Sequence, residues 1–156
     1  MSFFFSSDFP KAEKPFSVAI VHAEFNAPLV EKLLENTIKG LKKCGIAETA
    51  VEVVSVPGSL EIPFLAKKLL ETGDFDGIIA LGIIIRGETY HFEIVAEESA
   101  RALMDLTLDG FAVGNGILTV ENEAQAIVRA TPDQLDKGGG AAKAAIAMMA
   151  LKERFA

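Results

Sequence analysis

Residues 76–85, with the sequence DGIIALGIII, are almost continuously apolar and contain five isoleucines. A strand with one face in solvent alternates apolar and polar side chains, so an unbroken apolar run predicts a strand buried on both faces. Such strands belong to parallel sheets that are covered by helices on both sides. We therefore expect an α/β fold built around this segment.

Strand-like and helix-like segments alternate along the rest of the chain. Three further strands are predicted at residues 16–21, 50–56 and 111–120, and in the last of these Gly114 and Gly116 should loosen the middle. Apolar side chains at helical spacing predict helices at residues 28–45, 60–73, 90–107, 122–130 and 138–155. This alternation predicts a four-stranded parallel sheet with right-handed crossovers and helices on both faces, a three-layer, doubly wound, flavodoxin-like sandwich.

The domain organisation predicted from the chain is simple. A length of 156 residues suits one core, and no linker or repeat divides residues 16–156, so these should form a single α/β domain. Residues 1–15 are predicted to form an extended N-terminal segment. Its aromatic side chains are too apolar for a segment that stays in solvent, so they should pack on the domain or, as we expect, on a neighbouring subunit. These side chains are Phe3, Phe4, Phe5 and Phe9.

Composition excludes several classes of function. The net charge is -7 and no cluster of lysine or arginine occurs, which argues against a nucleic-acid or anionic-membrane partner. Charges interrupt every apolar run, and the N-terminal run is too short for a secretory signal, so neither a membrane span nor export is expected. Cys44 is the single cysteine, which excludes an intrachain disulfide and fits a reducing compartment such as the cytoplasm.

Polar turns follow three of the predicted strands at residues 22–26, 56–61 and 86–91, at the sheet edge where ligands of such folds gather. In the third turn Gly87 permits a sharp bend, and Thr89 is a candidate N-cap of the next helix. Free amides and the positive end of a helix make an anion site, beside which His91 could move protons. An ordinary capped turn and a structural His91 remain the alternatives.

Other candidates have equally plain structural explanations. Glu61 could bind ligand hydroxyls or simply complement a helix dipole, and Phe25 and Asn26 could line a pocket or form a core aromatic and a turn. Arg129 and Lys137 are solvated charges unless the fold brings them to a site.

The familiar cofactor and nucleophile signatures are missing from the sequence. His22, which we take as structural, and His91 lie on different turns without further ligands at metal-binding spacing, so we expect no metal. Neither a dinucleotide fingerprint nor a P-loop is present, and Ser55 and Ser59 lack the nucleophile-elbow pattern.

Five motifs in this order resemble those of the 6,7-dimethyl-8-ribityllumazine synthase family of riboflavin biosynthesis. They are EFN (24–26), VPGSLEIP (56–63), LGIIIRGETYHFEIV (81–95), GNGILTVENEAQAIVRA (114–130) and DKGGGAAKAAIAMMAL (136–151). The resemblance implies that residues 16–156 are a catalytic domain. It would condense 5-amino-6-(D-ribitylamino)uracil with 3,4-dihydroxy-2-butanone 4-phosphate, releasing water and phosphate without cofactor or metal.

The same resemblance assigns roles to individual residues. The backbone amides of Gly87, Glu88 and Thr89 would hold the phosphate with help from Arg129, while His91 would transfer protons. The residues implied to surround the pyrimidine ring are Phe25, Ser59, Leu60, Ile84, Ile85 and, at a ring carbonyl, Lys137. The ribityl chain would be bound by Asn26 and Glu61.

In this family the residues at the positions of Asn115 on the fourth strand, Arg129 and Lys137 come from the adjacent subunit. The resemblance therefore implies self-association with the site at the interface. We expect a pentamer. Asn115 stands where many relatives carry an aromatic side chain, so it would close the pocket with a hydrogen-bonding group. Two alternatives to the enzyme are a non-catalytic flavin- or lumazine-binding paralogue and a mainly structural, shell-forming assembly.

Overall fold

The computed structural model describes residues 8–156, which form a four-stranded parallel sheet in the order β2-β1-β3-β4. The strands are β1 (Val18–Ala23), β2 (Val51–Val56), β3 (Gly77–Ile85) and β4 (Val113–Val120). All four lie within three residues of their predicted bounds. The predicted doubly wound α/β fold is therefore confirmed.

Five α-helices connect and cover these strands among the described residues. They are α1 (Ala27–Lys43), α2 (Ile62–Glu71), α3 (His91–Leu108), α4 (Glu123–Ala130) and α5 (Lys137–Arg154). Two short 3₁₀ turns, Glu48–Ala50 and Ser59–Glu61, precede β2 and α2. Pro63 lies in the first turn of α2, where its missing N–H breaks no helical hydrogen bond.

The central strand β3 is buried on both faces, as its apolar run predicts. Ile79 and Leu81 pack into a core with α1 and α5, whereas Ile78 and Ala80 pack into a second core with α2 and α3. Successive side chains of a strand point to opposite faces, so this one segment supplies both layers of the sandwich. No helix among residues 8–156 is long and apolar enough to cross a membrane.

Gly114 and Gly116 do not loosen β4, and that expectation is wrong. The strand pairs with β3 without interruption from Val113 to Val120. A Cβ on Gly114 would lie 2.7 Å from the carbonyl oxygen of Ala141 and 2.9 Å from Cβ of Ala145. The glycine is required because α5 approaches the strand backbone closely at this point.

The described part of the N-terminal segment packs on its own domain. The Phe9 ring lies 4.8 Å from Nζ of Lys43 and 4.4 Å from Nζ of Lys143, between α1 and α5. The N–H of Ala12 donates to the carbonyl of Cys44 at 2.7 Å. Residues Phe3, Phe4 and Phe5 lie outside the described residues, and packing of this segment on a neighbouring subunit stays a prediction.

Candidate active site

A pocket of about 300 Å³ opens at the carboxyl edge of the sheet, where the turns after β1, β2 and β3 meet. Its size is at the lower end of the range typical for small-molecule sites. The pocket brings together most of the residues predicted from the sequence. Those lining it are Phe25, Asn26, Ser59, Leu60, Glu61, Ile84, Ile85, Gly87, Thr89 and His91.

The first turn is tied to both neighbouring strands. Asn26 adopts a left-handed conformation with φ 62°, which asparagine tolerates better than most residues, and its Nδ2 donates to the carbonyl of Ile83 at 2.8 Å. The Phe25 N–H donates to the carbonyl of Pro57 at 3.1 Å, and the Phe25 side chain is 73% exposed at the pocket mouth. The amide of Asn26 is thus held by the fold, and only its Oδ1 has no protein partner among the described residues.

The second turn places a hydroxyl directly against the main chain of β3. Ser59 is buried, and a Cβ on Gly82 would lie only 2.5 Å from Ser59 Oγ. The carboxylate of Glu61 folds back over Gly58, where a Cβ would lie 3.2 Å from Oε1. Ser59 lines the pocket and packs from there against the backbone of Gly82, which leaves no room for a side chain at position 82.

The third turn leaves its amides unoccupied by protein groups. Among residues 8–156, none accepts a hydrogen bond from the backbone N–H of Gly87, Glu88 or Thr89. The helix begins at His91 with Tyr90 as its N-cap residue, so the predicted cap at Thr89 is one position too early. Thr89 Oγ1 still accepts a long 3.4 Å hydrogen bond from the His91 N–H. An α-helix of 18 residues therefore directs its positive end at this turn.

The two histidines occupy different environments. His91 is exposed on the pocket rim, whereas His22 is half-buried with its Nδ1 3.3 Å from the carbonyl oxygen of Ala23 and does not line the pocket. No group of three or more metal-binding side chains occurs among the described residues.

Four predicted residues lie outside the pocket of the single chain. Glu88 is exposed beside it, and Asn115 lies on the edge strand β4 with Oδ1 accepting from the Ile117 N–H at 2.9 Å. Arg129 donates from Nη1 to the carbonyl of Gln125 at 3.1 Å. Lys137 is the exposed first residue of α5.

Sequence reasoning missed four lining residues: Gly58, Ile83, Phe92 and Val95. Val95 lies four positions after His91 and three after Phe92 on α3, so helical spacing could have placed Val95 beside each of them. Ile83 is continuous with the predicted Ile84 and Ile85. Gly58 has no side chain by which the sequence could have identified it as a lining residue.

Fold and pocket together define an α/β protein with a small-molecule site at the carboxyl edge of a parallel sheet. Residues 15–153 match the family model described as 6,7-dimethyl-8-ribityllumazine synthase. The chain belongs to the 6,7-dimethyl-8-ribityllumazine synthase family.

Relatives that carry this description cover nearly the whole chain. The protein from Novosphingobium aromaticivorans is 57% identical over 136 residues, which span 87% of this chain and 96% of the relative. The protein from Zymomonas mobilis is 54% identical, again over 87% of this chain and 96% of its own length. A protein from Rhizobium meliloti described as 6,7-dimethyl-8-ribityllumazine synthase 1 is 48% identical and covers 91% of this chain and 95% of its own.

Proposed function

We propose that this protein catalyses the condensation of 5-amino-6-(D-ribitylamino)uracil with 3,4-dihydroxy-2-butanone 4-phosphate to 6,7-dimethyl-8-ribityllumazine. This is the penultimate step of riboflavin biosynthesis, and it makes the protein a transferase. One observation of the pocket carries the proposal: amides that have no acceptor among residues 8–156 adjoin an exposed imidazole on the same rim. The reaction needs an anion site and a proton carrier, and it transfers no electrons to a carrier. We accordingly propose that it requires neither cofactor nor metal.

The phosphate of the four-carbon substrate would bind the third turn. The N–H groups of Gly87, Glu88 and Thr89 are available as donors, and the dipole of α3 favours an anion at this end. Oriented amides keep their charge distribution fixed while the phosphate ester bond breaks. The proposed role of the turn is therefore to bind the substrate and to stabilise the leaving phosphate.

His91 would carry protons between the reacting atoms. In the proposed sequence the ring amine attacks the ketone, and the carbinolamine loses water to give an imine. Elimination of phosphate leaves an enol that tautomerises to a ketone, and the ribitylamino nitrogen attacks this carbonyl and closes the ring with loss of a second water. Each step moves a proton on or off nitrogen or oxygen, and the exposed imidazole lies on the rim where these atoms would meet. Holding both substrates in register would supply much of the remaining acceleration.

The pyrimidine would occupy the apolar part of the pocket. Phe25 at the mouth would stack on the ring, while Ile84 and Ile85 border it. The side chains proposed to complete the ring pocket and to bind the ribityl hydroxyls are Ser59, Leu60, Asn26 and Glu61. Since Nδ2 of Asn26 already donates to Ile83, its Oδ1 is the atom proposed to accept from a hydroxyl.

We propose that the site is completed by an adjacent subunit, in a pentamer. Asn115, Arg129 and Lys137 do not line the pocket of their own chain, which is what a shared site requires. Exposed apolar side chains on α3, Met104 and Leu108, offer surface for such association. The buried free thiol of Cys44 suits the cytoplasmic location that we also propose.

Incubating the purified protein with both substrates and recording lumazine fluorescence tests the activity. Product formation is expected, whereas binding of lumazine or riboflavin without turnover would indicate the non-catalytic paralogue. Light scattering measures the subunit number and would distinguish a pentamer from a larger shell.

Mixed oligomers test the shared site. If His91 and Arg129 of one site come from different subunits, an equal mixture of His91→Ala and Arg129→Ala subunits regains about one intact site in four. Activity that stays at the level of the two parent variants after dissociation and reassembly would refute the shared site. Reassembled mixtures of each variant with itself serve as controls.

A further inference from the structure

Arg86 connects the end of β3 with the end of β4 and the first turn of α3. Its N–H donates to the carbonyl of Val120 at 2.9 Å, and its Nε donates to Glu121 Oε2 at 2.6 Å. Its Nη1 pairs with Glu93, and its guanidinium lies 4.3 Å from the centre of the Phe92 ring. We call Arg86 with Glu93, Glu121 and Phe92 the Arg86 clamp.

Taking the proposed phosphate-binding role of this turn as its premise, we propose that Arg86 is a positioning residue that fixes the anion-binding turn and His91 through the Arg86 clamp. The ion pair between Arg86 and Glu93 closes a loop of eight residues. Gly87, Thr89 and His91 all lie within that loop. The three backbone amides proposed to bind the phosphate and the imidazole proposed to carry protons thus share one closed segment of backbone.

Little else holds this segment. Residues 86–91 are all exposed, and a Cβ on Gly87 would meet no atom within 4 Å. Among the described residues, the other hydrogen bonds of this segment are a 3.3 Å bond from the Ile94 N–H to the Tyr90 carbonyl and a 3.4 Å bond from the His91 N–H to Thr89 Oγ1, and both are too long to be strong. Amides bind an anion well only when they are held in convergent directions beforehand. The clamp supplies that restraint.

Direct electrostatic attraction of the phosphate does not explain the role of Arg86. Arg86 does not line the pocket although the next residue does, and its donors are directed to two carboxylates. One cation and two carboxylates leave a local charge of about minus one, which repels an anion. The hydrogen bond from Arg86 holds the pKa of Glu93 below its ordinary value.

Glu93 is half-buried, and one of its two carboxylate oxygens faces the protein. Its Oε2 is shielded from solvent and has no hydrogen-bond donor among the described residues. A buried carboxylate oxygen without a donor is unfavourable, so the pairing of its other oxygen with Arg86 is the contact that retains it. Loss of Arg86 should therefore release Glu93 and, with it, the start of α3.

Replacing Glu93 with alanine distinguishes a positioning role of Arg86 from an effect of local charge, because the two explanations predict changes of opposite sign in phosphate binding. If Arg86 acts through the clamp, Glu93→Ala should raise the inhibition constant of inorganic phosphate and the KM of the phosphorylated substrate about three- to tenfold. If local charge dominates, removing a carboxylate should lower both constants. Arg86→Lys keeps the charge but loses the planar fork, and it should weaken phosphate binding to a similar extent.

The same helix offers matched controls. Arg101 pairs with Glu98 and Asp105 on the exposed face of α3, so Glu98→Ala and Arg101→Lys remove comparable ion pairs away from the turn. Both controls should leave the phosphate inhibition constant within about twofold of wild type. The double variant Arg86→Lys/Glu93→Ala should bind phosphate no more weakly than the single variant with the lower phosphate affinity, because both substitutions break the same Arg86 clamp.

The outcomes are distinguishable. Unchanged or tighter phosphate binding in Glu93→Ala would overturn the positioning role, as would a thermal destabilisation with unaltered kinetics. If Glu93→Ala does not fold, Arg86→Lys and Glu121→Ala give the same readout. Absence of lumazine formation by the wild-type protein would instead refute the proposed function, and direct titration with inorganic phosphate would still report on the clamp.

Discussion

Replacing Gly114 with alanine should destabilise the fold by an amount that follows from the close contact between β4 and α5. The added Cβ would lie 2.7 Å from the Ala141 carbonyl oxygen and 2.9 Å from Ala145 Cβ. Favourable carbon contacts lie at roughly 3.5–4.0 Å, so α5 must move outward by about 0.5–1 Å. Neither obstacle can rotate away, because one belongs to the helix backbone and the other is fixed directly to it.

The expected change combines two opposing effects. Overpacking of a buried site costs about 1–3 kcal/mol. The lower entropy of the unfolded alanine chain offsets about 0.4–1 kcal/mol of this. We expect a net loss of ~1.3 kcal/mol in the free energy of unfolding, which corresponds to a fall in Tm of about 3–5 °C for a chain of this size.

Gly140→Ala is the matched control for Gly114→Ala. Gly140 lies inside α5, and a Cβ there would meet no atom of the described residues within 4 Å. Alanine should therefore stabilise the helix by about 0.5–1 kcal/mol. Urea unfolding of both variants at one protein concentration tests the reasoning, since association also contributes to apparent stability. A Gly114→Ala protein as stable as wild type would refute the close-approach explanation.

Four further outcomes are expected. His91→Ala should slow turnover by about 10²-fold without abolishing it, because positioning persists; complete loss in a correctly assembled variant would contradict this. Arg129→Ala should mainly raise the KM for the phosphorylated substrate, and an unchanged KM would remove Arg129 from the site. Asn36→Ala should cost about 1–3 kcal/mol of unfolding free energy, since the buried Nδ2 donates to the Ala130 carbonyl at 2.8 Å. Burial raises the pKa of the Cys44 thiol above its ordinary value. The stability that the buried, protonated thiol contributes should therefore be present below the ordinary thiol pKa and be lost as the pH rises toward the raised value. Alkylation of Cys44 should be slow until urea unfolds the chain.

Hydrophobic periodicity was sufficient to predict the layers of the fold and the edge at which the pocket lies. The apolar run of residues 76–85 implied a covered parallel sheet, and parallel strands bring their carboxyl ends together. The close packing at Gly114 was not predictable in the same way. A glycine needed for close approach and a glycine that disrupts a strand look identical until the partner helix is known.

Long-range pairings in the site were also beyond sequence reasoning. Arg86 reaches Glu93 and Glu121, and the second of these is separated from it by 35 positions. Charged residues are common at such separations, so only the folded chain selects the pair. Asn115, Arg129 and Lys137 illustrate a different limit, because the single chain does not bring them to the pocket and the shared site that we propose would need a second chain.

The contact between Ser59 and Gly82 has a consequence for how this pocket can diversify. Glycine is the smallest residue, and any side chain at position 82 would intrude on Ser59 Oγ, which already lies 2.5 Å from where a Cβ would be. Gly82 does not itself line the pocket, so a larger side chain there would act on the cavity by displacing Ser59, which does. Exposed lining positions such as Phe25 and Leu60 can be substituted without disturbing the buried core.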